Sequence, residues 1–352
     1  MNTQIEYFKP QLNPNNKSGE DIDWDERLGE NKTDWLASIK LDGIRGIFDT
    51  RNNTIKSRSL TPIRSVEIQN WFWQLEATTE LPLIVEGELW GKDLTIEEIK
   101  HFVMSKDVTT RKSIMKLKRE FGTDKWKFPG RDVEFMSTFP DTLKLYVFDC
   151  YVDGTKTKEE RYETYKKAVE ELNHPKIRAI TQREVESLET LMADYNQVVL
   201  NGGEGMMLVK KSSLYKFGRH TIRQKESFKM KDDNIKFRGV ILDVLEGTNV
   251  DPDAEITFNK LGRSVTSKRL EDRIPNGRAK GFLVRMNDGR ELTVSLKNID
   301  NYGKSLLLEY KANVILKDIT FTGMRPTKVG GMPRHAIFNF DGIETEFKRS
   351  IK

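Results

Sequence analysis

Apolar and polar positions alternate from Trp35 to Asp49 on either side of Asp42-Gly43, the period-two pattern of a hairpin. Asn53 to Ser59 continues as a strand, and Leu81 to Trp90 predicts another. Residues 95–104 and 158–172 carry helical spacing instead; in the second, Tyr162, Tyr165, Val169 and Leu172 share one face. Leu143 to Tyr151 predicts a strand whose Tyr146 and Phe148 point to the same side. Residues 184–200 read as a helix stopped by Asn201-Gly202-Gly203, with a strand at Met206–Val209 after it. Residues 1–30 are polar and turn-rich, an irregular leader laid over the first domain.

After Lys231 the pattern changes to short strands at Arg238–Leu245, Gly281–Met286, Glu291–Leu296, Ala312–Thr320 and Ala336–Phe340. Asn287-Asp288-Gly289 between two of them is a hairpin signal. Strands in such number with no helix between them predict a small antiparallel barrel. The boundary falls near Asp232–Lys236, giving an α+β chain with domains at 1–233 and 234–352.

Composition narrows the class. The formal net charge of +5 and 32% charged residues describe a soluble, mildly basic chain. The base is clustered: nine Lys/Arg against five acids between Lys106 and Glu134, and seven against two between Lys260 and Lys280. Such clusters suit phosphate neutralisation, although a charge run is more often a solvated face. One cysteine, Cys150, excludes an intramolecular disulfide and a Cys-rich zinc site. Its apolar surroundings predict a buried thiol. With no apolar run near the ~20 residues of a membrane span and no signal-peptide core, a reducing cytoplasm is the expected location.

The chemistry sits in short motifs. Lys40-Leu41-Asp42-Gly43-Ile44-Arg45 brings an amine, a carboxylate, a turn and a guanidinium into one stretch. A lysine crowded by cations and partly removed from water can lose its proton and attack a phosphate. Ser57-Arg58 offers a guanidinium to a phosphate or ribose. Glu86-Gly87-Glu88 puts two carboxylates on one face of a strand, which is costly unless they are paired or metal-bound. Tyr146 and Phe148 present aromatic faces, and Glu204 heads a strand after a Gly-Gly turn. Phe228-Lys229-Met230-Lys231 aims two amines at one side, where they repel unless an anion lies between them.

Taken in order, Lys40-x-Asp42-Gly43-x-Arg45, Ser57-Arg58, Glu86-Gly87-Glu88, Leu145–Asp149, Glu204-Gly205 and Lys229-Met230-Lys231 resemble the motifs of the ATP-dependent DNA ligases. The resemblance spans about residues 35–340 and is similar in length to the small two-domain phage-type enzymes. It implies a nucleotidyltransferase domain of antiparallel sheets with flanking helices, followed by an OB-fold barrel. It further implies that Lys40 attacks the α-phosphate of ATP and becomes adenylated. Arg45 and Arg58 would hold ribose and phosphates, Glu88 would meet ribose or metal, and Glu204 would help place Mg²⁺ or Mn²⁺. Tyr146 or Phe148 would stack on adenine, and Lys229 and Lys231 would hold the α-phosphate.

The partner implied is nicked duplex DNA, bound by a monomer with no membrane contact. Three departures stand out. Glu86 replaces an aspartate, Val209 replaces a cation, and Arg325, Lys328 and Arg334 match the barrel's pyrophosphate-contacting motif only loosely. RNA ligases and capping guanylyltransferases share the lysine chemistry, and a non-catalytic nucleic-acid-binding barrel is the rival of another class. The Lys-Leu-Asp-Gly-Ile-Arg form favours DNA ligase. An NAD-dependent ligase would need a Cys-rich zinc module that one cysteine cannot supply.

Overall fold

Two sheets carry the first of two units into which the chain divides, Met1–Lys231; the second is Asp232–Lys352. The structure is a computed structural model and describes residues 8–14, 22–51, 53–73, 82, 84–106, 139–201, 203–231, 235–254, 257–258, 264–265, 269, 271–324 and 331–351. The larger sheet has five strands in the order β4 (Thr54–Ser57), β3 (Ile44–Asp49), β5 (Ile84–Gly91), β6 (Leu143–Tyr151) and β7 (Ile177–Ala179). Alternation sends Phe48, Val85, Leu89, Leu145 and Val147 to one face, where helices Val66–Trp73, Ile96–Met104 and Lys158–Leu172 cover them. Two of these helices open on a capping box written in the sequence, Thr95 with Glu98 and Thr157 with Glu160.

The smaller sheet runs β11 (Ser227–Lys231), β9 (Gly205–Lys210), β2 (Trp35–Ile39) and β8 (Arg183–Glu184). Its buried face gathers Trp35, Ala37, Met206, Leu208, Phe228 and Met230 against Leu191 of helix Leu188–Leu200. The hairpin expected across Asp42-Gly43 does not form. β2 pairs with β8 and β9, whereas β3 pairs with β4 and β5, so the intervening residues cross from one sheet to the other. Gly43 serves a close approach in that crossing, because a Cβ there would stand 2.3 Å from the Leu89 carbonyl oxygen.

Three smaller corrections follow from local pairing. The helix expected from residue 184 begins at Leu188 behind the cap Ser187, because Arg183 and Glu184 pair with β2. The leader contains a helix, Trp24–Leu28, capped by Asp23. It also contains β1 (Gln11–Leu12), which pairs in parallel with β10 (Gly218–Arg219).

In the second unit five strands close a barrel in the order β12 (Ile235–Val250), β15 (Arg273–Met286), β16 (Glu291–Lys297), β18 (Arg334–Asn339) and β17 (Asp318–Met324). A short ladder, β13 (Thr257–Phe258) with β14 (Ser264–Val265), lies between β12 and β15 in sequence. The Asn287-Asp288-Gly289 turn joins β15 to β16 with Gly289 at φ 83°. Two expectations fail here. The strand predicted at Ala312–Thr320 is a 3₁₀ turn, Lys311–Asn313, leading into β17. The helix-free reading also misses Asn301–Glu309, whose cap Asp300 accepts from the Gly303 amide at 2.7 Å. Its Leu306 and Leu307 enter the barrel core, and a second helix, Glu344–Ser350, follows β18.

Candidate active site

Lys40 stands where β2 ends and the chain leaves one sheet for the other. Its backbone amide donates to the Gly205 carbonyl at 2.8 Å, continuing the β2–β9 ladder by one step. Its ammonium pairs with Glu204, and the Lys231 amine stands 4.0 Å from the same carboxylate. Glu204 therefore lies between two lysines. Gly205 makes this possible: it holds φ 141°, and a Cβ would meet the Met230 carbonyl oxygen at 2.1 Å.

A cavity of about 530 Å³ opens between the two sheets and receives side chains from both. The larger sheet contributes Arg45, Glu88 and Phe148, with Ser57 and Arg58 from the end of β4; the smaller contributes Ser38, Met207, Val209 and Lys229. Lys40 lies at its wall. Burial, then the charges of Lys40, Arg219 and Lys231, bring the Lys229 amine down to about 8. Glu88 is pushed up to about 7, chiefly by burial, with Glu204 and Asp42 adding repulsion against the relief given by Lys40 and Arg45. Arg58 is exposed and sits in the turn after β4 rather than on the strand.

The two acids of Glu86-Gly87-Glu88 have different fates. Glu86 is fully enclosed (0% exposed) and does not reach the cavity. It pairs with Arg45 and accepts from the Tyr215 hydroxyl at 2.7 Å. Arg45 also donates to the Gln11 carbonyl at 2.7 Å, and its guanidinium carbon stands 5.1 Å from the centre of the Phe148 ring. The buried acid and the leader strand thus hold one arginine against one aromatic ring.

A β-bulge separates the two aromatics of β6. Glu86 faces Asp149 and Gly87 faces Val147, so Phe148 is the extra residue. Its carbonyl accepts from Lys158 at 2.6 Å and Gln182 at 2.9 Å, while Asp149 is gripped by Arg161 at 2.8 Å and Lys158 at 3.4 Å. Phe148 is aimed into the cavity with Lys40, Arg45 and Lys229. Tyr146 lines a second cavity of about 690 Å³ beside Trp90, with Asp42, Glu204 and, again, Lys40. The strand register could not separate the two rings; the bulge does.

Several participants carry no motif. Tyr215, Gln11, Gln182 and Arg219 come from segments without a distinguishing pattern, and Met207 from a strand that was expected but not singled out. Lys158 and Arg161 did leave a signal, since they share the buried helix face with Tyr165, and cations on an apolar stripe announce an enclosed acid. Cys150 is a buried thiol, as expected, with its pKa pushed up to about 12 by burial and Asp149. The basic run 106–131 beyond Lys106, Arg325 and Lys328 lie outside the described residues, as does much of 260–280. Arg334 is on β18, opposite Met324. Among the described residues no group of three or more His, Cys, Asp or Glu is arranged to hold a metal, and no helix is long and apolar enough to cross a membrane.

The same architecture recurs in solved structures. A Lig E DNA ligase, studied as DNA binding with a minimal scaffold, is 20% identical, with 94% of this chain and 97% of that one covered and a TM-score of 0.61. A ligase named Pmar-Lig is 17% identical over 94% of this chain and 67% of its own, with a TM-score of 0.57. The Chlorella virus DNA ligase-adenylate is 20% identical over 94% and 98%, with a TM-score of 0.46. At these identities the first two likenesses establish a shared fold. No curated protein matches the chain. Residues 21–231, more than half of the sequence and the whole of the cavity except its leader strand, match the ATP dependent DNA ligase domain, and the protein belongs to that family.

Proposed function

We propose that this ATP-dependent ligase joins nicks in duplex DNA through a Lys40–AMP intermediate, with the nucleotide held by residues that line the smaller cavity and with Glu204, which Lys40 and Lys231 flank, beside it. The observation that carries this reading is the convergence of Lys40, Arg45, Glu88, Phe148 and Lys229 on one cavity from two sheets. Its volume of about 530 Å³ lies in the range of small-molecule sites. Adenine stacks on Phe148, and Arg45 and Arg58 hold the ribose and phosphates. Glu88 meets the ribose or the metal.

The Lys40 ammonium parts from Glu204 and gives its proton to solvent, and the free amine attacks the α-phosphorus. A P–N bond forms, the bond to the β-phosphate oxygen breaks, and pyrophosphate leaves. Lys229 and Lys231 neutralise the charge that develops on the α-phosphate. The AMP then passes to a 5′-phosphate at the nick, freeing Lys40, and the neighbouring 3′-hydroxyl displaces AMP as the phosphodiester forms.

Glu88 and Glu204 fit a magnesium or manganese ion. They are close enough for Glu204 to raise the pKa of Glu88, and such an ion is commonly held by one or two carboxylates with substrate phosphates completing the shell. Bound there, the ion would supply charge neutralisation at the phosphates. The barrel unit, with its basic 260–280 run, clamps the duplex through phosphate contacts, so binding is sequence-tolerant and falls steeply with salt. The enzyme works as a monomer in the cytoplasm, that of the host if the chain is phage-encoded.

The test is incubation with ATP labelled at the α-phosphate and Mg²⁺, then with nicked duplexes of DNA, RNA and hybrid strands. Wild type should take a covalent label and discharge it into the DNA nick. Lys40→Arg should fold normally and take none; a labelled Lys40→Arg protein refutes the assignment. Transfer to RNA nicks in preference to DNA would point to an RNA ligase.

A further inference from the structure

Gln182 lines the nucleotide cavity, and its amide is held in one orientation. Nε2 donates to the Phe148 carbonyl at 2.9 Å and to the Tyr165 hydroxyl at 2.8 Å, so both N–H groups are committed. A carbonyl can only accept. Turning the amide over would set two oxygens against each other, so the assignment of nitrogen and oxygen is dictated by chemistry. Neither anchor yields easily: Lys158 grips the same carbonyl at 2.6 Å, and Tyr165 is fully enclosed. Among the described residues no donor meets Oε1. What remains for the cavity is an oxygen that can accept and cannot donate, held on the backbone of the residue whose ring takes the base.

We infer that Gln182 selects the purine, its Oε1 accepting from the 6-amino group of adenine and rejecting a 6-oxo base. The inference rests on the reading that ATP lies on Phe148 in this cavity. Adenine carries N–H donors at that position, whereas guanine and hypoxanthine carry an oxygen. Oxygen facing oxygen leaves two desolvated acceptors unpaired. Ser38, on the same wall, cannot make this distinction, because a hydroxyl rotates to donate or to accept.

The test compares ATP, ITP and purine riboside triphosphate, which has hydrogen in place of the amino group, each labelled at the α-phosphate. The readout is kcat/KM for covalent labelling of the full-length protein with Mg²⁺. Wild type should prefer ATP about 100-fold over ITP and about 10-fold over the unsubstituted purine. In Gln182→Met, of similar length but without the acceptor, both ratios should fall to within about threefold. A side chain with a merely structural role would slow all three nucleotides alike, so a slower variant with both ratios intact overturns the inference. Wild type that uses the three nucleotides equally overturns it with no variant needed, even if Gln182→Met fails to fold. If wild type takes no label from any of them, the ligase reading itself fails, and that result is distinct from lost selectivity.

Discussion

Lys229 and Glu88 both line the cavity with pKa values near neutral pH, and as pH rises one sheds a positive charge while the other gains a negative one. Lys229, brought down to about 8, binds an anion best while charged. ATP affinity should therefore weaken as pH rises from about 7 to 9, by at most about tenfold per unit for each of the two groups. Lys229→Arg should bind ATP with a flatter profile, because a guanidinium keeps its charge. Titrations between pH 6.5 and 9.5 check this, and an unchanged slope in the variant would assign the loss to another group. Glu88, raised to about 7, carries its proton more tightly in the folded chain than in the unfolded one. Its favourable contribution is full below the ordinary carboxylate range and is lost as pH rises through 7. Glu88→Gln should therefore raise the melting temperature at pH 8 in chelator, leave it nearly unchanged at pH 5, and abolish metal-dependent labelling. A variant less stable than wild type at pH 8 would show that the ionised carboxylate helps the fold.

At the scale of elements, the site depends on three departures from regular structure: the crossing at Gly43, the bulge at Phe148 and the tight start of β9 at Gly205. Gly205→Ala should cost about 3 kcal/mol or more, since it adds both backbone strain and a clash with the Met230 carbonyl. Denaturant melts would measure it, and a variant within experimental error of wild type would mean that β9 can shift away from β11. Lys158→Met removes one of the two donors on the Phe148 carbonyl and leaves Asp149 to Arg161. It should raise KM for ATP roughly tenfold with a smaller change in kcat, because it loosens a ring and spares the reacting atoms. An equal loss in both would place Lys158 nearer the chemistry.

These departures also mark where the sequence stopped being readable. Period-two runs at Leu143–Tyr151 and Glu291–Leu296, and the helical spacing of 95–104 and 158–172, reported local geometry and were legible from local spacing. The Lys40, Glu204 and Lys229 motifs were legible as residue types. Pairing partners were not. Asp42-Gly43 has the composition of a hairpin turn, and only the competing ladders of β9 and β5 draw its flanks into separate sheets. Tyr215 and Gln182 act through hydrogen bonds to residues distant in the chain, Glu86 and the Phe148 carbonyl among them, contacts that no sequence period encodes. Asn301–Glu309 was lost because its apolar run is short, although Asp300 ahead of it was a readable cap.

At the scale of the whole molecule, the two units have separate cores. One is built on Phe48, Val85, Leu145 and their neighbours; the other on Ile241, Phe282, Val294 and Phe321. Each is of a size that can fold alone. Produced separately as 1–231 and 232–352, each should unfold in a single cooperative transition, and 1–231 should retain ATP binding because the lining of its cavity ends at Lys229. If the barrel clamps the duplex as proposed, sealing requires the nucleotide site and the clamp on the same nick. The covalent tether supplies an effective concentration of about 1 mM, so the two pieces mixed at about 1 μM should seal at roughly a hundredth of the intact rate or less. Sealing by the mixture at the intact rate would show that the units find each other without the tether. A 232–352 fragment that fails to fold would show that the barrel core depends on the first unit, and that the division at Lys231 is one of geometry rather than of stability.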